Sequence, residues 1–315
     1  MKHPTSTTLL LIGLFFVAQI MGILILTQYI DFEQSAQDQK TSLVTDSYYI
    51  QPPEVDNETF TFIPIIFAIV VATILLLFLI KWGKLIIWKI WFTLSVIASL
   101  SFAFYPFIAK VIPRDLVIYA TFILAGLLAI WKIFHPNPYV HNITEIFIYG
   151  GIAAIVVPLL NIYSAFLLLV LIAVYDYYMV FISKHMVTLA QSSMDSQLIA
   201  GLWVKSQIGH RHVNKIEEPV KKRGRPKVIP DPIPHKPYQT AGHAMVGGGD
   251  VAFPLLFAGA LMKFTGLYMS GFIVAICATL GIAALLIFAK KDKFYPAMPP
   301  IAIGCFIGLA IVLLL

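Results

Sequence analysis

The sequence predicts an all-α protein of nine membrane-spanning helices, with the amino terminus in the cytoplasm and the carboxy terminus outside. Three observations carry that prediction: an apolar composition, nine apolar runs of spanning length, and an uneven placement of charge. Of the 315 residues, 59% are hydrophobic and 12% charged, against roughly 25% charged in soluble domains. A helix needs ~20 apolar residues to cross the hydrocarbon. Runs of that kind fall at 8–30, 60–80, 85–109, 116–134, 143–160, 162–183, 246–264, 267–289 and 296–315. The expected organisation is therefore six helices over 1–183, a cytoplasmic loop over 184–245, and three helices over 246–315. Such a chain is an integral, multi-pass protein of the cell membrane, embedded in a lipid bilayer.

Each run has its own signals. The first follows Met1, Lys2 and His3, which imitate the start of a signal peptide. The run is too long for one and has no small-residue cleavage site before Asp31, so it reads as a retained helix. Pro158 and Asn161 divide the fifth run from the sixth. Cys277 and Cys305 both fall inside spans and read as small core residues rather than a disulfide. Glu145 lies two residues into its run, where snorkelling to the inner interface is expected. His135 and His141 fall in the short loop before it.

Charge sets the orientation. Seven of the sixteen acidic residues lie between Asp31 and Glu58, with Lys40 the one lysine among them. With that loop outside, 18 lysines and arginines fall inside and four outside (Lys40, Lys110, Arg114, Lys263). Long loops do not count in the positive-inside rule. Without the ten basic residues of 184–245, the ratio is still eight to four.

The 184–245 loop has two parts. From Lys184 to Trp203, apolar residues at Met186, Val187, Leu189, Ala190, Met194, Leu198, Ile199 and Leu202 suggest an amphipathic helix at the interface. From Lys205 to Gln239 the chain is rich in Pro, Lys and Arg. There, Lys221-Lys222-Arg223-Gly224-Arg225-Pro226-Lys227 resembles an AT-hook. A polybasic stretch beside anionic lipid accounts for it as well, at about 1 kcal/mol per basic residue, and no nucleic-acid partner is expected. His210, His212, His235 and His243 lack compact ligand spacing, so no metal site is expected.

Two aspartates inside apolar runs carry the functional argument. Asp176 follows Tyr175 in the sixth run, and Asp250 follows Gly247, Gly248 and Gly249 at the start of the seventh. A carboxylate in hydrocarbon costs a few kcal/mol at least and marks a bundle interior with a task. Counted from Lys184 and His243, the two lie ~12 Å and ~10 Å from the inner surface at a helical rise. Antiparallel neighbours therefore bring them to similar depth. Two carboxyls sharing an apolar site cannot both ionise cheaply, so the pair titrates as a unit holding one proton near neutrality. One partner can then take a proton from water while the other donates to a carbonyl oxygen. The glycines permit close approach or strained dihedrals, and serve equally as an ordinary helix start. Pro254 would remove the hydrogen bond to the carbonyl of residue 250.

Tyr175-Asp176 in one span and Gly247-Gly248-Gly249-Asp250 in the next match the YD and GxGD signatures of intramembrane aspartyl proteases. The chain resembles the presenilin and signal peptide peptidase family, most closely its archaeal presenilin-type homologues. Pro296-Ala297-Met298 stands where that family has Pro-Ala-Leu, and Met for Leu conserves volume. Pro299 and Pro300 strengthen the likeness to presenilins, whereas Pro254, Tyr177 and Tyr178 look like signal peptide peptidase.

The resemblance implies a presenilin-like fold and an aspartic endopeptidase that needs no cofactor. Its substrates would be transmembrane segments of membrane proteins or remnant signal peptides. Asp176 and Asp250 would be catalytic, with Tyr175, Gly247, Gly248, Gly249, Pro296, Ala297 and Met298 shaping the site. It also implies that the substrate helix unwinds and pairs as a strand near the end of the inner loop. The presenilin-like orientation implies substrates with their amino termini outside.

Other classes use intramembrane carboxylates too. A proton-coupled transporter or channel would show repeated halves with broken helices in both, but here only 246–250 is glycine-interrupted. A signalling or scaffold protein with an inactive dyad is a further alternative. No His-Glu-x-x-His occurs for a zinc protease. Ser270-Gly271 has Tyr268 where a rhomboid-type serine has glycine, and Ala252 stands where prepilin peptidases have lysine.

Overall fold

Apolar side chains all round a helix suit one that satisfies its own backbone hydrogen bonds in lipid, and the sequence supplies a series of them. The computed structural model describes residues 4–44, 58–81, 85–135, 137–183, 200–205, 243–289 and 295–315. Its helices are α1 (Thr5–Leu26), α2 (Phe32–Asp38), α3 (Phe62–Lys81), α4 (Leu85–Ile108), α5 (Arg114–Phe134), α6 (Pro138–Val156), α7 (Ile162–Tyr178), α8 (Gly248–Thr265), α9 (Tyr268–Phe288) and α10 (Met298–Leu314). Among the described residues, seven helices are long and apolar enough to cross a membrane. They coincide with seven of the predicted spans. The other two spans, 246–264 and 296–315, coincide with α8 and α10, of 18 and 17 residues.

Helix α8 forms the middle of the bundle. It packs on α1, α2, α6, α7, α9 and α10, and Val251, Leu255, Phe257, Ala258, Ala260, Leu261 and Met262 are all at most 1% exposed. Helix α3 is peripheral and packs on α4 and α7. Its Ile63, Phe67 and Ile74 are exposed, as suits side chains that face lipid. The α9–α10 pair is the closest-packed, because Gly281 and Gly304 let two backbones touch. A Cβ on Gly304 would lie 2.3 Å from the Cys277 carbonyl oxygen, and one on Gly281 would lie 2.4 Å from that of Pro300. Small residues at such contacts let membrane helices associate without a hydrophobic driving force.

The corner between α6 and α7 is built by Asn161. Its side chain accepts from the Ser164 amide at 2.8 Å, and the Ser164 hydroxyl accepts from the Asn161 amide at 3.1 Å. This reciprocal cap starts α7 and gives the division between the fifth and sixth spans its cause.

Two expectations need correction. Residues 201–203 are not the end of an amphipathic helix. Gly201–Lys205 is a strand, β1, antiparallel to β2 (His243–Gly247), with Leu202 opposite Val246 and Val204 opposite Ala244. Along β2, Ala244 and Val246 are 1% and 3% exposed with Met245 between them at 42%, and Leu202 is 0% exposed opposite Val246. This is a two-residue period, and the few apolar residues at 201–203 do not separate it from a helical one. The remainder of the expected helix, 184–199, and the basic stretch 221–227 lie outside the described residues.

Glu145 does not snorkel. Helix α6 starts at Pro138, capped by Asn137, so Glu145 is two turns in and 3% exposed. Lys132, from α5, pairs with it. His141 likewise sits within α6, 6% exposed, rather than in a loop.

Candidate active site

Asp176 lies in the last turn of α7, beside Tyr175, and Asp250 in the first turn of α8. All three are half-buried. The two carboxyls are near enough to interact electrostatically. Helix α10 packs against both of the helices that carry them.

The start of α10 holds Asp176. The Met298 amide donates to its Oδ2 at 3.0 Å, and the Ala297 amide is directed at the same carboxyl. The first amides of a helix have no intrahelical acceptor and attract anions. Here Pro299 and Pro300 have no N–H, so the free donors of that end are concentrated at Ala297 and Met298. Pro296 is buried and Met298 is 3% exposed. The Pro-Ala-Met segment therefore meets Asp176 through its backbone, a contact that does not depend on which side chain stands in the third position.

Asp250 is held differently. The Gly247 amide approaches its carboxyl, and a Cβ on Gly247 would lie 3.1 Å from its Oδ2. A side chain at 247 would therefore press on the carboxyl, which would have to give by a few tenths of an ångström. At Gly248 and Gly249 a Cβ would meet only ordinary contacts, at 3.4 Å from Tyr149 and from Phe253. The Gly248 amide donates to the Ala200 carbonyl at 3.1 Å, which ties the start of α8 to the hairpin. From α1, buried Gln19 donates from Nε2 to the Val251 carbonyl at 2.8 Å.

Strand β1 is itself fastened to α6. Asn142 donates to the Trp203 carbonyl at 2.8 Å and accepts from its amide at 3.1 Å. His141 Nε2 donates to the Gly201 carbonyl at 2.8 Å. Sequence reasoning did not single out Gln19, Lys132, Asn142 or Tyr149. A signal for part of this was present: His141, Glu145 and Tyr149 recur every four residues in an apolar run, so they share one helix face. Among the described residues, no group of three or more His, Cys, Asp or Glu could hold a metal ion.

A family model described as signal-peptide peptidase, presenilin aspartyl protease matches residues 12–315. The chain belongs to that family. Two solved structures, each titled as a presenilin family intramembrane aspartate protease, resemble it in fold. The C222 crystal form is 19% identical with a TM-score of 0.61, over 98% of this chain and 99% of the other. The P2 form is 20% identical with a TM-score of 0.61, over 97% of each chain. Among curated proteins, no sequence matches the chain significantly. Membership supports an intramembrane aspartyl protease, a multi-pass membrane protein that acts on transmembrane substrates.

Proposed function

We propose that Asp176 and Asp250 are the general acid/base dyad of this protease and that it cleaves peptide bonds within membrane-spanning segments. The observation that carries the reading is their placement: Asp176 in the last turn of α7 and Asp250 in the first turn of α8 are both half-buried, and α7, α8 and α10 pack on one another. A shared apolar site favours one proton on the pair. The ionised carboxyl takes a proton from water as the oxygen attacks the scissile carbonyl carbon, and the protonated one donates to the carbonyl oxygen. Collapse of the tetrahedral intermediate breaks the C–N bond, with a proton passing to the leaving amine. No covalent intermediate is required.

A helical peptide bond is shielded, so the substrate must unwind before attack. The hairpin suits the unwound chain. The outward peptide groups of β1 at Gly201 and Trp203 are taken by His141 and Asn142. Strand β2, with Met245 42% exposed, leads directly into Gly248 and so offers its outer edge beside Asp250. An extended segment adding to such an edge gains main-chain hydrogen bonds.

The orientation follows from the charge pattern, with the amino terminus and the 184–245 loop cytoplasmic and the carboxy terminus outside. Lys263 pairs with Glu58 at 3.2 Å, so two residues assigned outside lie at the same end of the bundle. This orientation favours substrates with their amino termini outside.

The test is cleavage of a model single-span substrate by purified protein in detergent. Asp176→Asn and Asp250→Asn should each abolish proteolysis while leaving the melting temperature unchanged or higher, since an amide of nearly the same volume replaces one carboxyl and leaves a single ionisable group in the shared site. Retention of most activity in either variant would sink the assignment.

A further inference from the structure

A turn of three glycines is a poor place to hold a reacting group. Glycine has the most backbone freedom to lose, so Gly247 to Gly249 need an external wall to fix the start of α8. The wall at Gly248 is Tyr149 of α6, 2% exposed. A Cβ on Gly248 would be 3.4 Å from both Cε1 and the hydroxyl of that ring. Tyr149 is also within electrostatic reach of Asp250.

The ring is anchored from behind. Its hydroxyl donates to one oxygen of Glu145, and Lys132 of α5 pairs with the other. His141 completes the surroundings at 3.8 Å from Glu145. Lys132, Glu145 and Tyr149 are 5%, 3% and 2% exposed. Stability alone is a weak account of such a trio, because apolar residues of similar volume often replace a buried ion pair at no loss. What apolar residues would not supply is a fixed orientation for the phenol.

We propose that Tyr149 is a positioning residue for Asp250, with Glu145 and Lys132 as the anchor that holds its ring against the glycine turn. The inference rests on the reading of Asp250 as catalytic. Tyr149 touches neither substrate nor the reacting atoms in this scheme. It sets where the first turn of α8 lies, and hence where the carboxyl sits.

The experiment compares wild type, Tyr149→Phe, the apolar double substitution Lys132→Met with Glu145→Met, and Asp250→Asn on one model substrate, with kcat, KM and melting curves for each. Tyr149→Phe keeps the ring and loses the anchor. The double substitution keeps the volume and loses the anchor from the other side. Both should lower kcat on the order of tenfold or more with KM within about twofold, because small misplacements of a reacting group act on kcat. The double substitution should still fold and melt within several degrees of wild type, since apolar packing offsets the lost ion pair while the phenol loses its acceptor. Wild-type kcat in both would overturn the positioning role. So would a rise in KM at constant kcat, or loss of folding in both, which would make the trio a structural element only. The control separates the two claims: cleavage surviving in Asp250→Asn defeats the reading beneath, whereas unchanged Tyr149→Phe beside an inactive Asp250→Asn defeats this inference alone.

Discussion

Helix α8 carries one ionisable group near each end, Asp250 in its first turn and Lys263 in its last, and the protein surrounds them differently. At a helical rise they are ~20 Å apart. Lys263 is 6% exposed and enclosed by oxygen. Its Nζ donates to the Thr41 hydroxyl, to Glu58 at 3.2 Å, and to the carbonyls of Leu160 at 2.9 Å, Pro158 at 3.3 Å and Val157 at 3.4 Å. Those carbonyls belong to the turn that follows α6, where the Val157 carbonyl also accepts from the Leu160 amide at 3.1 Å. One buried cation thus joins the turn after α6, Thr41, Glu58 and the central helix α8. Asp250 is half-buried, approached by one amide, and faces a second carboxyl. The contrast teaches that burial of charge in a membrane has two uses. A fully compensated group is structural, and an incompletely compensated one beside a like charge is available for chemistry.

The strongest test of that comparison is Lys263→Met. Removing one partner of a buried pair costs about 3–5 kcal/mol, and here several carbonyls lose their donor as well. Unfolding in detergent should show a loss of that order, with cleavage per folded molecule retained. A variant that melts like wild type would mean that the lysine is not the structural half of the contrast.

At the other end of α8 the effect should appear in rate instead. Gly247→Ala would place a methyl group 3.1 Å from the Asp250 Oδ2, so the carboxyl must give by a few tenths of an ångström, and kcat should fall on the order of tenfold. Gly249→Ala, whose nearest contact is Phe253 at 3.4 Å, should lose less. Steady-state kinetics of the pair would decide it, and equal losses would show that crowding at Asp250 is not the reason for glycine at 247.

The smallest effect is expected from the basic stretch 221–227. Replacing the basic residues of 221–227 by Ser or Gln should leave cleavage in neutral detergent unchanged. Binding to anionic vesicles should weaken, and the difference should shrink as salt screens it. An AT-rich duplex affinity that survives high salt would instead favour the AT-hook reading.

Much of this was legible from the chain, for reasons that differ by residue. The spans follow from apolar content summed over a local run, which needs no partner. Asp176 and Asp250 stood out because a carboxylate in such a run is conspicuous at any position. Glu145 was misread because its depth was counted from residue 143, whereas Asn137 and Pro138 start the helix earlier. The added turn, with Lys132 supplied from another helix, turns an interfacial acid into a buried one. The hairpin escaped because the partner of Gly201 to Lys205 lies about forty residues on, and the apolar residues at Leu202 and Trp203 fit either period.

The sequence by itself determined that this is a helical membrane protein, where it crosses, and which two acids are out of place, because hydrophobicity and charge act through composition along a short stretch. Only the tertiary structure decided what each polar group meets. It set the Met298 amide on Asp176, Tyr149 behind Gly248, and Lys263 among the carbonyls of another corner. Those pairings join residues far apart in the chain, and their energies depend on distance and burial that no single segment specifies.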